Sequence, residues 1–544
     1  MYDFIIVGNG IAGVSCINEL VLSINEKFED TKCESNSKCS PESKLPYKFR
    51  ILFVINNASI KFVRNTILHG KYIKTFNIEF RKLKKMNDTA SELAEIFGWN
   101  TNNVKVEVKI GKLIDIEPNE KFITVKNYKL TTDENNVDKL YYNYLSLCTG
   151  SIPKKLDVET KVDGTNPEII DNYLVYIKDV DSIYNLKKRI SSCERVVLIG
   201  NGAICAMMVE KIKNCEIVWI NKDRDVLVAN FLDELTSEYF YNTIKKDLHT
   251  PLKNTSFKCI PTITEQVFQK NTYENCSVGD NWPEGVQLIG SNKSRKLHLL
   301  FNETLQNVHV GTFVSDNDKP KRLKITLLDT VIYADLAIIA IGVVPNNNYV
   351  YTKLGKPKLS VNSKDGGILV NESFQTSHPK VFAAGDVVSL DWKNCQIPKN
   401  YVHIRLWSTA QSMAQVAAKS MLYHFNQTLL NPALYESFEL DFSHHFEMFC
   451  HVTTIFDKRL VLLGRFNSQN LNLNNVQIMI RGSIDESSFI KLVILHGVVQ
   501  GAVLIGTDTH LAETIENLML NKLDISIYGE DLLDPNIDIE DYFD

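Results

Sequence analysis

Met1-Tyr2-Asp3-Phe4-Ile5-Ile6-Val7-Gly8-Asn9-Gly10-Ile11-Ala12-Gly13 is the stretch whose reading decides the fold. Phe4 to Val7 are apolar without alternation, the pattern of a strand buried on both faces of a parallel sheet. The glycines then run in the order G-x-G-x-x-G, which predicts a tight turn into a helix. In such a turn Gly8 makes the bend, Gly10 lets the backbone approach a pyrophosphate, and Gly13 lets helix and strand pack closely. Asn9, Ile11 and Ala12 fill the positions between them, and the phosphates rest on the helix N-terminus. A glycine-rich turn alone also arises as plain strand-to-helix geometry, so the weight rests on the motifs further along the chain.

The pattern recurs in Arg195-Val196-Val197-Leu198-Ile199-Gly200-Asn201-Gly202-Ala203-Ile204-Cys205-Ala206, where an apolar strand again enters a glycine turn and leaves as a helix. Cys205 stands in the third-glycine slot and is small enough for helix-strand packing, a structural reading. Further on, Val381-Phe382-Ala383-Ala384-Gly385-Asp386 is an apolar strand ending in a carboxylate able to accept hydrogen bonds from a sugar-alcohol chain. The chain therefore reads as α/β, with two Rossmann-like dinucleotide-binding domains.

This order of motifs resembles the pyridine nucleotide-disulphide oxidoreductases, and the shared motifs span residues 1 to about 420. The resemblance implies FAD on the first turn, NAD(P)H on Gly200 to Ile204, and Gly385-Asp386 beside the flavin ribityl and phosphate region. Thr149-Gly150-Ser151-Ile152-Pro153 and Ala340-Ile341-Gly342-Val343-Val344-Pro345-Asn346 resemble the segments where the chain crosses between the nucleotide domains. The implied plan is an FAD domain split between 1–160 and 331–430, and an NAD(P)H domain over 161–330 with a polar insertion near 254–295. An α+β C-terminal domain over 431–529 and an acidic tail over 530–544 complete it. Hydride would pass from nicotinamide to flavin.

Several residues depart from the family pattern. The second strand, Arg50 to Ile55, ends in Asn56-Asn57 where an acid usually meets the adenosine ribose, although an amide still hydrogen-bonds a hydroxyl. A helix is expected from Ser59-Ile60-Lys61-Phe62-Val63-Arg64, where disulphide reductases carry their redox cysteines. No cysteine lies between Val54 and Ile110, which excludes ordinary dithiol exchange there. Lys61 is a candidate cation beside the flavin, with a surface lysine as the competing reading. Met207 replaces a glutamate common near the nicotinamide. Asn221-Lys222-Asp223-Arg224 offers an acid for NADH and bases for NADPH and leaves that choice open. A helix running from Arg405 through Met421 would point its N-terminus at the flavin. On it Trp407 is a candidate ring cover and Arg405 a candidate charge contact, each weighed against ordinary packing or a salt bridge.

At 544 residues the chain is too long for one core. A net charge of -5 gives no basic footprint for binding nucleic acid by itself. Met1-Tyr2-Asp3 runs straight into a strand and no long uncharged apolar stretch occurs, so a soluble, unsecreted protein is expected. The 11 cysteines are scattered with no CxxC or CxxxxC pair and no zinc spacing, which reads as reduced core thiols and no metal site. Residues 25 to 48 are polar and read as a solvated loop insertion.

In the C-terminal unit no His-Pro-Thr motif appears, so His444, His445, His451, His496 and His510 are read as core or surface histidines. The segment from Glu530 to Asp544 carries seven acids and no base but also Leu, Ile, Tyr and Phe, the composition of a docking peptide. The cysteine-free flavin site, the insertion and this ending together resemble one subfamily of the same oxidoreductases. That resemblance implies a protein of nucleus and cytoplasm that associates with the catalytic subunit of the tRNA-splicing ligase and protects its metal site from oxidation. The competing readings are an NAD(P)H-gated binding module with little turnover and a general NAD(P)H oxidase or quinone-type reductase.

Overall fold

In the computed structural model the strand Tyr2–Val7 is buried on both faces, and Phe4, Ile5 and Ile6 are wholly inaccessible. The structure describes residues 1–33, 48–84, 88–127, 136–163, 169–177, 180–245, 248, 258–260, 287–292, 294–315, 318–391, 393, 401–429, 446–482 and 488–534. Tyr2–Val7 pairs in parallel with Phe49–Ile55 on one side and Val137–Leu147 on the other. Parallel neighbours need a long crossover, which the helix Ile11–Cys33 begins. Val104–Glu117 and Val137–Leu147 are long enough to leave this sheet and join Phe122–Asn127 in an antiparallel meander. Val381–Ala383 returns late in the sequence to lie against Leu145, Ser146 and Leu147.

A second parallel sheet orders Leu174–Tyr176, Leu336–Ile339, Arg195–Ile199, Glu216–Ile220 and Lys296–Leu300. An antiparallel layer built on Leu305–Val314, Lys321–Leu327 and Val331–Ala334 packs against it through Val197, Val218, Val308, Leu323 and Ile325. The third sheet is antiparallel, in the order Cys450–Ile455, Lys458–Gly464, Val498–Ile505, Phe489–Leu495, Val476–Arg481. The helix Thr509–Leu520 covers it, capped by Asp508, whose carboxylate accepts the Leu511 N–H.

Three sequence readings change here. The segment 25–48 begins as helix, because Asn25 to Cys33 continue Ile11–Cys33 without a glycine or proline to stop it; 34–47 lie outside the described residues. The helix expected from Ser59 is instead a β-hairpin, Ser59–Leu68 paired with Lys74–Lys82. Its β-branched Ile60, Val63, Thr66 and Ile67 suit a pleated strand better than a helix. Of the acidic segment 530–544, Leu532 and Leu533 are buried in the C-terminal core, so its beginning is not a tail. Most of the insertion near 254–295 lies outside the described residues, apart from Lys258–Ile260, which pairs with Leu305–Val314, and the stretch from 287.

The second and third bodies meet through Phe231 on His451, Tyr239 on Phe489 and Phe240 on Phe456. Among these rings the fully buried Lys491 donates to Asp233 and, at 2.9 Å, to Asn467. Asp233 also caps the helix Glu234–Ile244 through the Thr236 N–H. Asp233→Ala therefore strands a buried ammonium and uncaps a helix, and it is expected to cost about 3–5 kcal/mol in urea unfolding. Asp233→Asn, which keeps a cap, should cost less.

At the base of the second sheet the largest influence on Glu216, burial, acts to raise its pKa. Hydrogen bonds and charge from His298 and Arg195 outweigh it and bring the value to about 2. A depressed acid stabilises the fold above its unfolded pKa. The contribution, of order 3 kcal/mol, should fade as pH falls from about 4.5 to about 2. Acid titration of Glu216→Gln should lack that part of the decline.

Candidate functional site

Both glycine turns are shaped by the strand that lies beside them in space. Gly8 has φ +130° and a Cβ there would lie 2.1 Å from the Cys148 carbonyl oxygen; Gly200 has φ +131° and its Cβ would lie 2.2 Å from the Ala340 oxygen. A Cβ on Gly13 would stand 1.8 Å from the Gly8 oxygen, so only glycine closes this turn. Gly10 differs: a Cβ there meets no protein atom within 4 Å, and at Gly202 only Asn230 Oδ1 approaches, at 3.8 Å. These are open cradles at helix N-termini, the shape a pyrophosphate needs.

Asn9 and Asn201, the residues between the glycines, act alike. Asn9 Nδ2 donates to Asn57 Oδ1 at 2.8 Å and to the Ser59 carbonyl at 2.7 Å. Asn201 Nδ2 donates to Asp223 Oδ2 and the Val226 carbonyl, both at 2.8 Å, and its Oδ1 accepts the Val228 N–H. Both side chains brace the turn from behind. Trp219 Nε1 adds a bond to the Gly200 carbonyl at 2.8 Å. Ile11 and Ala12 are buried in the first helix, and Ala203 and Ile204 lie in the second, where buried Cys205 fills the third-glycine slot. Burial pushes the Cys205 thiol up to about 12.

The residue ending each second strand carries a buried amide with an unmet hydrogen bond. Asn56 Oδ1 has no partner in the protein, and neither amide atom of the fully buried Asn221 has one. Buried polar groups are rarely left unmet, so both positions fit the sugar hydroxyls of a bound dinucleotide. Asp223 is engaged by Asn201, and Arg224 lies exposed beside Asp225.

The two crossing segments pair with each other: Ser151 faces Pro345, Ile152 faces Val344 and Pro153 faces Val343 in antiparallel register. Thr149 Oγ1 donates to the Asn346 carbonyl at 2.8 Å, and Gly150 and Gly342 take positive φ to turn the chain. Ser151 Oγ reaches Asp386 Oδ2 at 2.8 Å. Gly385, at φ +80°, packs so tightly on the first helix that a Cβ would lie 2.8 Å from Ala12 Cβ. The Gly-Asp motif, the first turn and the crossover thus converge. Burial raises the Asp386 pKa, against the hydrogen bond from Ser151 and the charge of Arg405.

Arg405 lies just before the helix Trp407–Leu429, which starts two residues later than expected. It is salt-bridged: Nη2 meets Asp365 Oδ2 at 2.6 Å while Nε donates to the Asp386 carbonyl at 2.9 Å. Asp365 also accepts from Ser389 Oγ and the Gly367 N–H. Burial acts to raise its pKa, yet these donors hold it below the usual value. Beside it burial, reinforced by Arg405, pushes His403 down to about 4, so its imidazole is neutral near pH 7. Asp365, Ser389 and His403 were missed in the sequence. Asp365-Gly366-Gly367 is legible only as a turn.

Lys61 is not a surface residue: it is 5 % exposed, within the hairpin, and its N–H donates to the Asn9 carbonyl at 3.2 Å. Trp407 packs edge-on against Phe76 of the same hairpin at 4.4 Å. Met207 is buried. Cys16, Cys148, Cys193, Cys205, Cys215 and Cys450 are free cysteines, outside any disulfide. Among the described residues no cluster of His, Cys, Asp and Glu suits a metal ion, and no helix is long and apolar enough to cross a membrane.

Two nucleotide-binding sheets joined by a double crossover, with a glycine cradle in each, define a two-dinucleotide flavoprotein. Residues 2–252 and 297–414 match the family model described as pyridine nucleotide-disulphide oxidoreductase. The chain is 30 % identical to a human protein named pyridine nucleotide-disulfide oxidoreductase domain-containing protein 1, over 99 % of this chain and 98 % of that one. A Pongo abelii protein of the same name is 31 % identical over 99 % and 98 %, and a Drosophila melanogaster one 28 % identical over 100 % and 99 %. Among solved structures, the covalent putidaredoxin reductase–putidaredoxin complex has a TM-score of 0.60 at 15 % identity, covering 100 % of this chain and 98 % of that one. A reduced Bacillus anthracis CoADR-RHD has 0.58 at 18 %, covering 98 % and 76 %. The chain belongs to the pyridine nucleotide-disulphide oxidoreductase family, and its cofactors are FAD and NAD(P)H.

The cradles make a sharp distinction between two glycines. Gly10→Ala should fold and melt near the native temperature yet be purified with little flavin, because its methyl meets only the space a pyrophosphate needs. Gly13→Ala should lose both flavin and thermal stability. Absorbance of the bound flavin and a melting curve check both outcomes.

Proposed function

We propose that the chain is an FAD-dependent NAD(P)H oxidoreductase that works without a redox-active dithiol. The observation carrying this reading is the hairpin Ser59–Lys82, which occupies the expected place of a dithiol helix and contains no cysteine. Bound FAD would supply the hydride-accepting ring and NAD(P)H the hydride. The first helix N-terminus and the open face of Gly10 would hold the FAD pyrophosphate, and Asn56 a ribose hydroxyl. Asp386, fixed by Ser151 and Arg405, would accept from the sugar-alcohol chain. Gly202 and Asn221 would do for NAD(P)H what Gly10 and Asn56 do for FAD. The electrons then leave to an acceptor outside the chain.

The resemblance to one subfamily supports a particular role, protection of the catalytic subunit of the tRNA-splicing ligase from oxidative inactivation, in nucleus and cytoplasm. Because Leu532 and Leu533 belong to the core, the segment proposed to reach that partner is 535–544, which lies outside the described residues. A second reading, a binding module gated by NAD(P)H with little turnover, is favoured by buried Met207 where the family commonly carries a glutamate.

Anaerobic mixing with NADH and then NADPH, before air is admitted, tests this function. Bleaching of the flavin with prompt reoxidation is expected for the oxidoreductase. A reduced complex persisting in air would establish the gated binder, and no bleaching would overturn hydride transfer. Removal of residues after Asp534 should leave bleaching unchanged and abolish ligase binding.

A further inference from the structure

The hairpin that stands in the dithiol position is held at three points, and each lies on a different part of the molecule. Its base is gripped by the flavin turn: Asn9 donates to the Ser59 carbonyl at 2.7 Å and accepts the Lys61 N–H at 3.2 Å. Along its second strand Phe76 sits edge-on to Trp407 at 4.4 Å, at the start of the helix that comes after Arg405 and its bond to the Asp386 carbonyl.

Its tip reaches the C-terminal domain. The Glu516 carboxylate, fully buried on the helix Thr509–Leu520, accepts three consecutive backbone N–H groups there: Lys71 at 2.8 Å, Tyr72 at 2.6 Å and Ile73 at 3.0 Å. The fit demands a glycine beside it, since a Cβ on Gly70 would lie 2.1 Å from Glu516 Oε2. Lys71 Nζ and Tyr72 OH both bond Glu447, and Tyr72 and Ile73 join the apolar cluster of Ile515, Leu518 and Leu532. Charge-assisted bonds from three amides to one buried carboxylate are strong and have a single geometry.

The two-stranded element thus joins the flavin turn at one end to this latch at the other through hydrogen bonds at both. We infer that Glu516 is a positioning residue for the flavin, acting through the hairpin, so that FAD occupation and docking of the hairpin tip on the C-terminal domain stabilise each other. The inference rests on FAD occupying the Gly8–Gly13 turn. Coupling is reciprocal: whatever factor the latch adds to FAD affinity, FAD adds to the latch.

Hydrogen exchange of the Lys71, Tyr72 and Ile73 amides, with and without FAD in the wild-type protein, tests the coupling without any substitution. Removing FAD should speed their exchange about 5-fold or more, the lower end of ordinary couplings. Glu516→Ala should release the same amides and raise the FAD dissociation constant by a similar factor. Gly70→Ala, which opens the latch from the hairpin side, should do the same, and the double variant should be no worse than either alone. Asn517→Ala, an exposed and uncharged change on the same helix, should alter neither quantity. Exchange that ignores FAD, or a freed latch with unchanged FAD affinity, overturns the inference. Protein that binds no FAD in any form would instead refute the cofactor assignment.

Discussion

Everything in the first domain depends on one close approach, the Gly8 carbonyl against the Cα of Gly13, with no room for a side chain between them. That contact fixes the angle at which the helix Ile11–Cys33 leaves the strand, and so where its N-terminus points. The strand beside it supplies Cys148, whose carbonyl excludes a Cβ from Gly8, and the returning strand brings Gly385 onto Ala12. A few backbone atoms packed without side chains thus bring together pieces of chain from residues 8, 148 and 385.

Around that centre the polar side chains support one another in layers. Arg405 holds the Asp386 carbonyl while Asp365 holds Arg405. Asn9 and Asn201 occupy matching positions in the two turns and brace them against the loop after the second strand. Such interior networks are worth most when every donor is met. At the strand ends Asn56 and Asn221 keep side-chain atoms with no partner in the protein.

The hairpin Ser59–Lys82 contains no cysteine and is built into the molecule by a buried lysine, an aromatic contact with Trp407 and a tip bound into the C-terminal domain. The C-terminal domain is tied in twice, by Glu516 to the hairpin and by Lys491 to Asp233 of the second nucleotide domain. Both ties bury a charge, which has one arrangement of low energy and so favours a single relative placement of the parts.

By itself the sequence determined the leading strand and glycine turn of each nucleotide-binding sheet, because positive φ, tight turns and doubly buried strands leave signals within about a dozen consecutive residues. It also identified the crossing segments, the Gly-Asp motif and the missing cysteines. It erred at Ser59, where helical and extended patterns overlap over so short a run and the partner strand begins only at Lys74. Only the tertiary structure decided that Lys61 is buried, that Arg405 answers to Asp365 and that Leu532 and Leu533 belong to the core. Glu516 lies 443 to 445 positions from the amides it holds. The physical reason is separation: a glycine's conformational freedom acts where it stands, whereas the partner of a buried charge is chosen by the packing of distant elements.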